Sequence, residues 1–141
     1  MTYRKSWLII ALCWLVAGCQ SLPTQPPLRY RVMTMKYGVN KQLPDDVRCQ
    51  RFQLSPADVV NYFEHAQAVN PSIFRQYAKG SSCYYQGSLM VDGDIQQWMI
   101  TAAGVGYLSR GLTKNELRHF LCTKNCHQVF GSRFQSYELD E

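Results

Sequence analysis

The apolar run at residues 7–18, preceded by Tyr3, Arg4 and Lys5 and closed by Cys19, decides how much of this 141-residue chain is free to fold. A positive flank, an apolar stretch and then the small residues Ala17 and Gly18 follow the order of a secretory signal segment. The stretch falls well short of the roughly 20 residues that a membrane-spanning helix needs. It is read as a targeting element lost on export, so residues 1–18 contribute nothing to a core. The 123 residues from Cys19 onward then remain, and the formal net charge drops from +5 to +3 with the loss of Arg4 and Lys5. That length suits one domain. Its basic residues are scattered, so neither a nucleic-acid patch nor a polybasic anchor is written in the chain, and nucleic acid is not an expected partner.

The tetrapeptide Val16-Ala17-Gly18-Cys19 resembles the lipobox of bacterial lipoproteins, an aliphatic residue and two small ones before an invariant cysteine. The resemblance covers about the first twenty residues. It implies cleavage before Cys19, acylation of Cys19 and attachment of the product to a membrane through the acyl chains. In that family Asp after the cysteine tends to retain the product at the inner membrane. Gln20 stands there, so the resemblance implies the periplasmic face of the outer membrane. Residues 19–28 are polar and rich in proline, which joins neither helix nor sheet ladder, and form an expected extended tether. A single globular domain is expected over residues 29–141.

Export changes the meaning of the thiols, because an oxidising compartment favours disulfides. Cys13 leaves with the signal segment, and the domain keeps Cys49, Cys83, Cys122 and Cys126. Four thiols allow three pairings. The expected one is Cys122 with Cys126, which only Thr123, Lys124 and Asn125 separate, and therefore Cys49 with Cys83. Cys122, Cys126 and His127 also spell C-x3-C-H, one residue longer than the C-x-x-C-H of haem attachment. A disulfide explains the two cysteines without His127, and the spacing matches no usual zinc pattern with His119 either. No cofactor and no metal are expected.

Residues 29–37 alternate imperfectly and predict a strand; Gly, Asn, Pro and Asp then turn the chain before an extended piece at 48–54. Ser55, Pro56 and Asp58 form a helix start, and Val59, Val60, Phe63, Ala66 and Ala68 or Val69 follow at helical spacing, which predicts a helix over 56–69. Asn70-Pro71 ends it, and a short turn at 72–77 tucks Ile73, Phe74 and Tyr77 into the core. Residues 83–91 and 95–102, separated by Asp92-Gly93-Asp94, predict a hairpin. Ile95, Trp98 and Ile100 do not share one parity, which implies either a bulge or two partly buried faces. Tyr107 and Leu108 belong to an expected third strand after a bend at Gly104 and Gly106. Thr113 to Glu116 has the form of a capping box, predicting a helix over 114–121, with a strand ending at the cysteines as the alternative. Residues 137–141 are acidic and are expected to fray. The fold class is therefore α+β: a small antiparallel sheet of three to five strands packed on one main helix and held by disulfides.

A nucleophile or metal with a positioned base would mark catalysis. His65, His119 and His127 with Glu64 and Glu116 make no such motif, and Glu64 and His65 point about 100° apart on a helix. G-x-S-x-G and H-E-x-x-H are both missing from the chain. An enzyme is not expected, and a small envelope hydrolase is the minor alternative. The expected role is a tethered protein-binding module. A small, lipidated, disulfide-bearing α+β domain is similar in architecture to periplasmic immunity lipoproteins that neutralise toxins from competing bacteria. That similarity transfers no functional residue. A structural or assembly lipoprotein of a secretion or surface-appendage system is the other reading. Tyrosine is abundant, and Tyr84-Tyr85 is the candidate contact pair, since adjacent strand residues face opposite sides.

Overall fold

The computed structural model describes residues 27–77, 80–111, 117–135 and 137–139. The expected signal segment, Cys19, most of the expected tether and the Thr113 to Glu116 motif lie outside these residues.

Among the described residues seven strands form one antiparallel sheet, so the fold is α+β as expected. Strands β1 (Tyr30–Val32) and β2 (Lys36–Val39) both pair with β4 (Cys83–Val91). Next come β5 (Asp94–Thr101), β6 (Val105–Ser109), β7 (Leu117–Leu121) and finally β3 (Gln67–Val69). Helix α1 (Pro56–His65) packs on one face, joined there by α3 (Lys124–Phe130), while α2 (Pro71–Tyr77) lies over the other.

The start of α1 is the one foreseen. Ser55 Oγ accepts from the Asp58 amide, and the Asp58 carboxylate accepts from the Ser55 amide, with Pro56 in the first turn. Such a reciprocal cap is worth on the order of 1 kcal/mol. Its end is not the one foreseen. The helix stops at His65, and Ala66 turns to an extended backbone. Gln67, Ala68 and Val69 then pair with Leu121, Phe120 and His119 as β3. A sheet edge that needs a partner outbids one more helical turn, because each short β residue gains ladder hydrogen bonds. Asn70 then begins α2 by accepting the Ile73 amide on its side-chain oxygen at 2.9 Å.

Three further segments differ from expectation. The piece expected to be extended at 48–54 is instead a 3-10 turn over Val47–Arg51, which Asp46 starts by accepting the Arg48 amide. Residues 29–37 form two strands, because the amides of Met33 and Thr34 both donate to the Ser88 carbonyl, at 2.9 and 3.2 Å, and this bulges the edge. Gly87 permits the bulge, since a Cβ there would collide with the Thr34 carbonyl. Residues 117–121 are strand β7 and not helix, paired along its length with β6. These changes also account for seven strands in place of three to five.

The hairpin of β4 and β5 turns on Asp92 and Gly93 alone, both at positive φ (49° and 93°), the signature of a type I′ turn. Pairing is continuous from Val91 with Asp94 to Tyr84 with Thr101, so β5 has no bulge. Gln96, Trp98 and Ile100 therefore face α1, and Ile95, 58% exposed, faces the other way.

The core lies between the sheet and α1. Val59, Tyr62 and Phe63 meet Leu89, Trp98, Ile100, Leu108 and Phe120 there, with Phe52, Phe130 and Phe134 closing the side. Tyr62 is wholly buried and packs edge-on against Phe63; its hydroxyl donates to the Gly104 carbonyl at 3.0 Å. Gly106 is required beneath it, because a Cβ would come within 2.8 Å of the Tyr62 ring. A smaller cluster under α2 joins Ala103, Val105, Leu121 and Tyr137 to Ile73, Phe74 and Tyr77. Ile73, Phe74 and Tyr77 thus tuck in as expected. Tyr137 does not fray: its amide donates to the Cys122 carbonyl and its hydroxyl to the Ala103 carbonyl, which holds it within that cluster.

Candidate functional site

Both expected disulfides are present. Cys49–Cys83 ties the 3-10 turn to the start of β4, and Cys122–Cys126 ties the end of β7 to α3. Closing a loop of 34 residues constrains the unfolded chain by roughly 3–4 kcal/mol in the entropy model, the shorter loop by about 2. Beside the first bridge, Asp46 joins three loops. Its Oδ1 accepts from the Arg48 amide and guanidinium, and its Oδ2 from Ser81 Oγ at 2.7 Å. Arg48 continues to the Gly80 carbonyl and to Gln135. The Arg48 hydrogen bond is the main reason the Asp46 carboxyl is held down at about 2. With both oxygens engaged in this way, the group is a structural tie.

The three histidines sit apart, on α1, β7 and α3. His65 Nδ1 lies 2.8 Å from the Asn61 carbonyl of its own helix. His119 is clasped between Phe74, 4.5 Å away, and Tyr107, and burial together with the nearby Arg75 charge lowers its pKa. His127 is exposed on α3 beside a bridge that uses both sulfurs of the C-x3-C-H motif. Among the described residues no three His, Cys, Asp or Glu side chains converge as metal ligands would. Glu64 is exposed on α1, and Glu116 lies outside the described residues.

The sheet face away from α1 offers a different kind of site. Parity places Tyr84 and Gln86 of β4, Gln97, Met99 and Thr101 of β5, and Tyr107 of β6 on it, in cross-strand register. Helix α2 and the Tyr137 segment cover one end of this face, and no other described residue covers the rest. Two hollows of about 830 and 590 Å³ lie on it and share Met99 and Tyr107. The Tyr107 hydroxyl donates to Met99 Sδ at 3.1 Å, and burial raises its pKa. Phe74 of α2 forms a wall, 6.2 Å from the Tyr107 ring. Among the described residues, the charged ones lining the two hollows are Lys36 and Lys41, and no carboxylate lines either one.

The Tyr84-Tyr85 pair does divide between faces. Tyr85 turns to the core side, edge-on to Phe52 and Tyr37 at 5.3 and 5.2 Å. Tyr84 lines the larger hollow, its ring lying where a Cβ on Gly38 would be. Both are partly buried, because the short edge strand β2 covers each in part. Tyr84 is thus retained as a site residue and Tyr85 belongs to the core margin. Met99, Gln97 and Phe74 escaped the sequence reading. The Asp92-Gly93 pair held the signal that would have found two of them, since a two-residue turn sets Met99 opposite Gln86.

Comparison with known protein families, with curated proteins and with solved structures finds no match to this chain.

Proposed function

We propose that the chain is an exported lipoprotein, held through Cys19 at the periplasmic face of the outer membrane, whose domain acts by binding another envelope protein. A toxin directed at the envelope is the partner class proposed, which makes the domain an immunity protein working by stoichiometric capture. The observation that carries the binding reading is the open sheet face, where half-buried Tyr84, Met99 and Tyr107 stand on a rigid, doubly bridged scaffold. Aromatic and methionine side chains of this kind supply large contact area at low ordering cost. Pairing of all four domain cysteines fits an oxidising compartment and so supports export. A lipid anchor would hold such a module where an incoming toxin must act.

The test is protection. Cells lacking the gene are challenged with the product of an adjacent toxin gene sent to the periplasm, and wild type or variants are restored. Wild type and a His65→Ala, His119→Ala, His127→Ala variant should both protect, whereas Tyr84→Ala with Tyr107→Ala should not. Failure of wild type to protect rejects immunity, and loss of protection confined to a folded histidine variant points to catalysis. Fatty-acid labelling of wild type against Cys19→Ser tests the anchor, and equal labelling of both would remove it.

A further inference from the structure

The open face also carries information about the sign of its partner. Its two hollows adjoin at Met99 and Tyr107, which line both, and together they make up a cleft region across β4, β5 and β6. The floor is apolar and aromatic. Gln86 and Gln97 offer uncharged donors and acceptors along it, both exposed. Lys36 on the edge strand and Lys41 in the loop after it stand on the rim, exposed, and neither belongs to an ion pair among the described residues. Among the described residues each hollow therefore has one cation at its border and no anion in its lining. The acidic residues that are near a cation elsewhere are already used: Asp46 by Arg48, Asp58 by Arg133 and Asp94 by Arg110.

We infer that the cleft receives an acidic segment of the partner protein, with one aromatic or aliphatic side chain seated between Tyr84, Met99 and Tyr107 and carboxylates meeting Lys36 and Lys41. This inference rests on the protein-binding reading above and adds the chemistry of the bound segment. Complementary charge at a rim chiefly sets encounter rate and discrimination, while the apolar seat supplies affinity. A basic or uncharged segment would leave both lysines without a counter-charge.

The experiment uses the full-length protein in neutral detergent, panned against a library of short random peptides displayed on phage. Enriched peptides should carry acidic residues flanking an aromatic, Leu or Met anchor. Their affinity should fall about tenfold or more in Lys36→Glu with Lys41→Glu, and should weaken as salt rises from about 50 to about 500 mM. A matched control, Arg51→Glu with Lys124→Glu, makes the same change of charge at exposed positions away from the cleft and should bind nearly as wild type. Thermal melting of both variants verifies that each is folded. Basic or neutral peptides, an equal loss in the control, or no enrichment overturns the inference. Dimerisation of the protein through this face, or binding to phosphatidylglycerol vesicles that the same lysine variant abolishes, overturns it too. A cleft that selects uncharged peptides removes the acidic segment and leaves protein binding standing, whereas a wild type that fails to protect cells removes the reading beneath it.

Discussion

On the face turned to α1, Leu89, Trp98, Ile100, Leu108 and Phe120 are each no more than 4% exposed. On the other face of the same strands, Gln86, Gln97 and Ile95 are open to solvent, and Tyr84, Met99 and Tyr107 are half-buried. One backbone thus carries two surfaces, one residue out of phase. The first face holds the fold together and fixes the strands. The second inherits that rigidity without having to supply it, so its tyrosines and methionine are presented in set positions at little further ordering cost. Under the proposed binding role, stability and recognition would fall to alternate residues of the hairpin.

Truncation should separate the two faces most sharply. Tyr62→Ala, which empties the centre of the closed face, is expected to cost about 3–5 kcal/mol in denaturant unfolding. Tyr107→Ala on the open face should cost less, about 1–2 kcal/mol, because Tyr107 is only partly buried, while lowering partner affinity under the proposed binding role. Equal losses of stability would break the distinction. Next in size is the bridge that holds the start of β4. Cys49→Ala with Cys83→Ala should lower stability by roughly 3 kcal/mol, against about 2 for the Cys122 and Cys126 pair, as read by thermal or urea unfolding. A larger effect from the shorter loop would show that the bridge near α3 bears more of the closed face than chain entropy implies.

The smallest effect concerns the tie at Asp46. Its carboxyl is held at about 2, below the ordinary 3.8, so the folded state favours the charged form. The resulting stabilisation is complete above about pH 4 and is lost as pH falls towards 2. Asp46→Asn should therefore cost about 1–2 kcal/mol at neutral pH and flatten the stability profile between pH 4 and 2. If the variant and wild type lose stability in parallel over that interval, Asp46 is not the group that titrates.

Part of this was legible in the chain. The α1 cap was readable because Ser55, Pro56 and Asp58 are local signals whose partners lie three residues away. The bridge between Cys122 and Cys126 was readable for the same reason, and it left only one partner for Cys49. The end of α1 was not, because Ala66 and Val69 continue a helical spacing and only the presence of β7 alongside makes Gln67, Ala68 and Val69 a strand. Residues 117–121 show the same dependence in reverse: their helical spacing yields to pairing with β6 on one side and β3 on the other. Of the cleft, Tyr84 was found from composition. Met99 and Phe74 were not, since they join it from β5 and α2, elements that only packing brings together.

What the sequence alone determined was therefore whatever depends on near neighbours: the helix start, the existence of the hairpin though not its two-residue turn, which was read as Asp92-Gly93-Asp94, the short disulfide and the α+β class. What the tertiary structure decided was the identity of short segments, the face of each β5 residue and the existence of an open cleft. The physical reason is range. Caps, turns and short loops are settled by interactions within a few residues, whereas a three- to five-residue segment has too few internal hydrogen bonds to choose between helix and strand until a partner across the sheet supplies the rest.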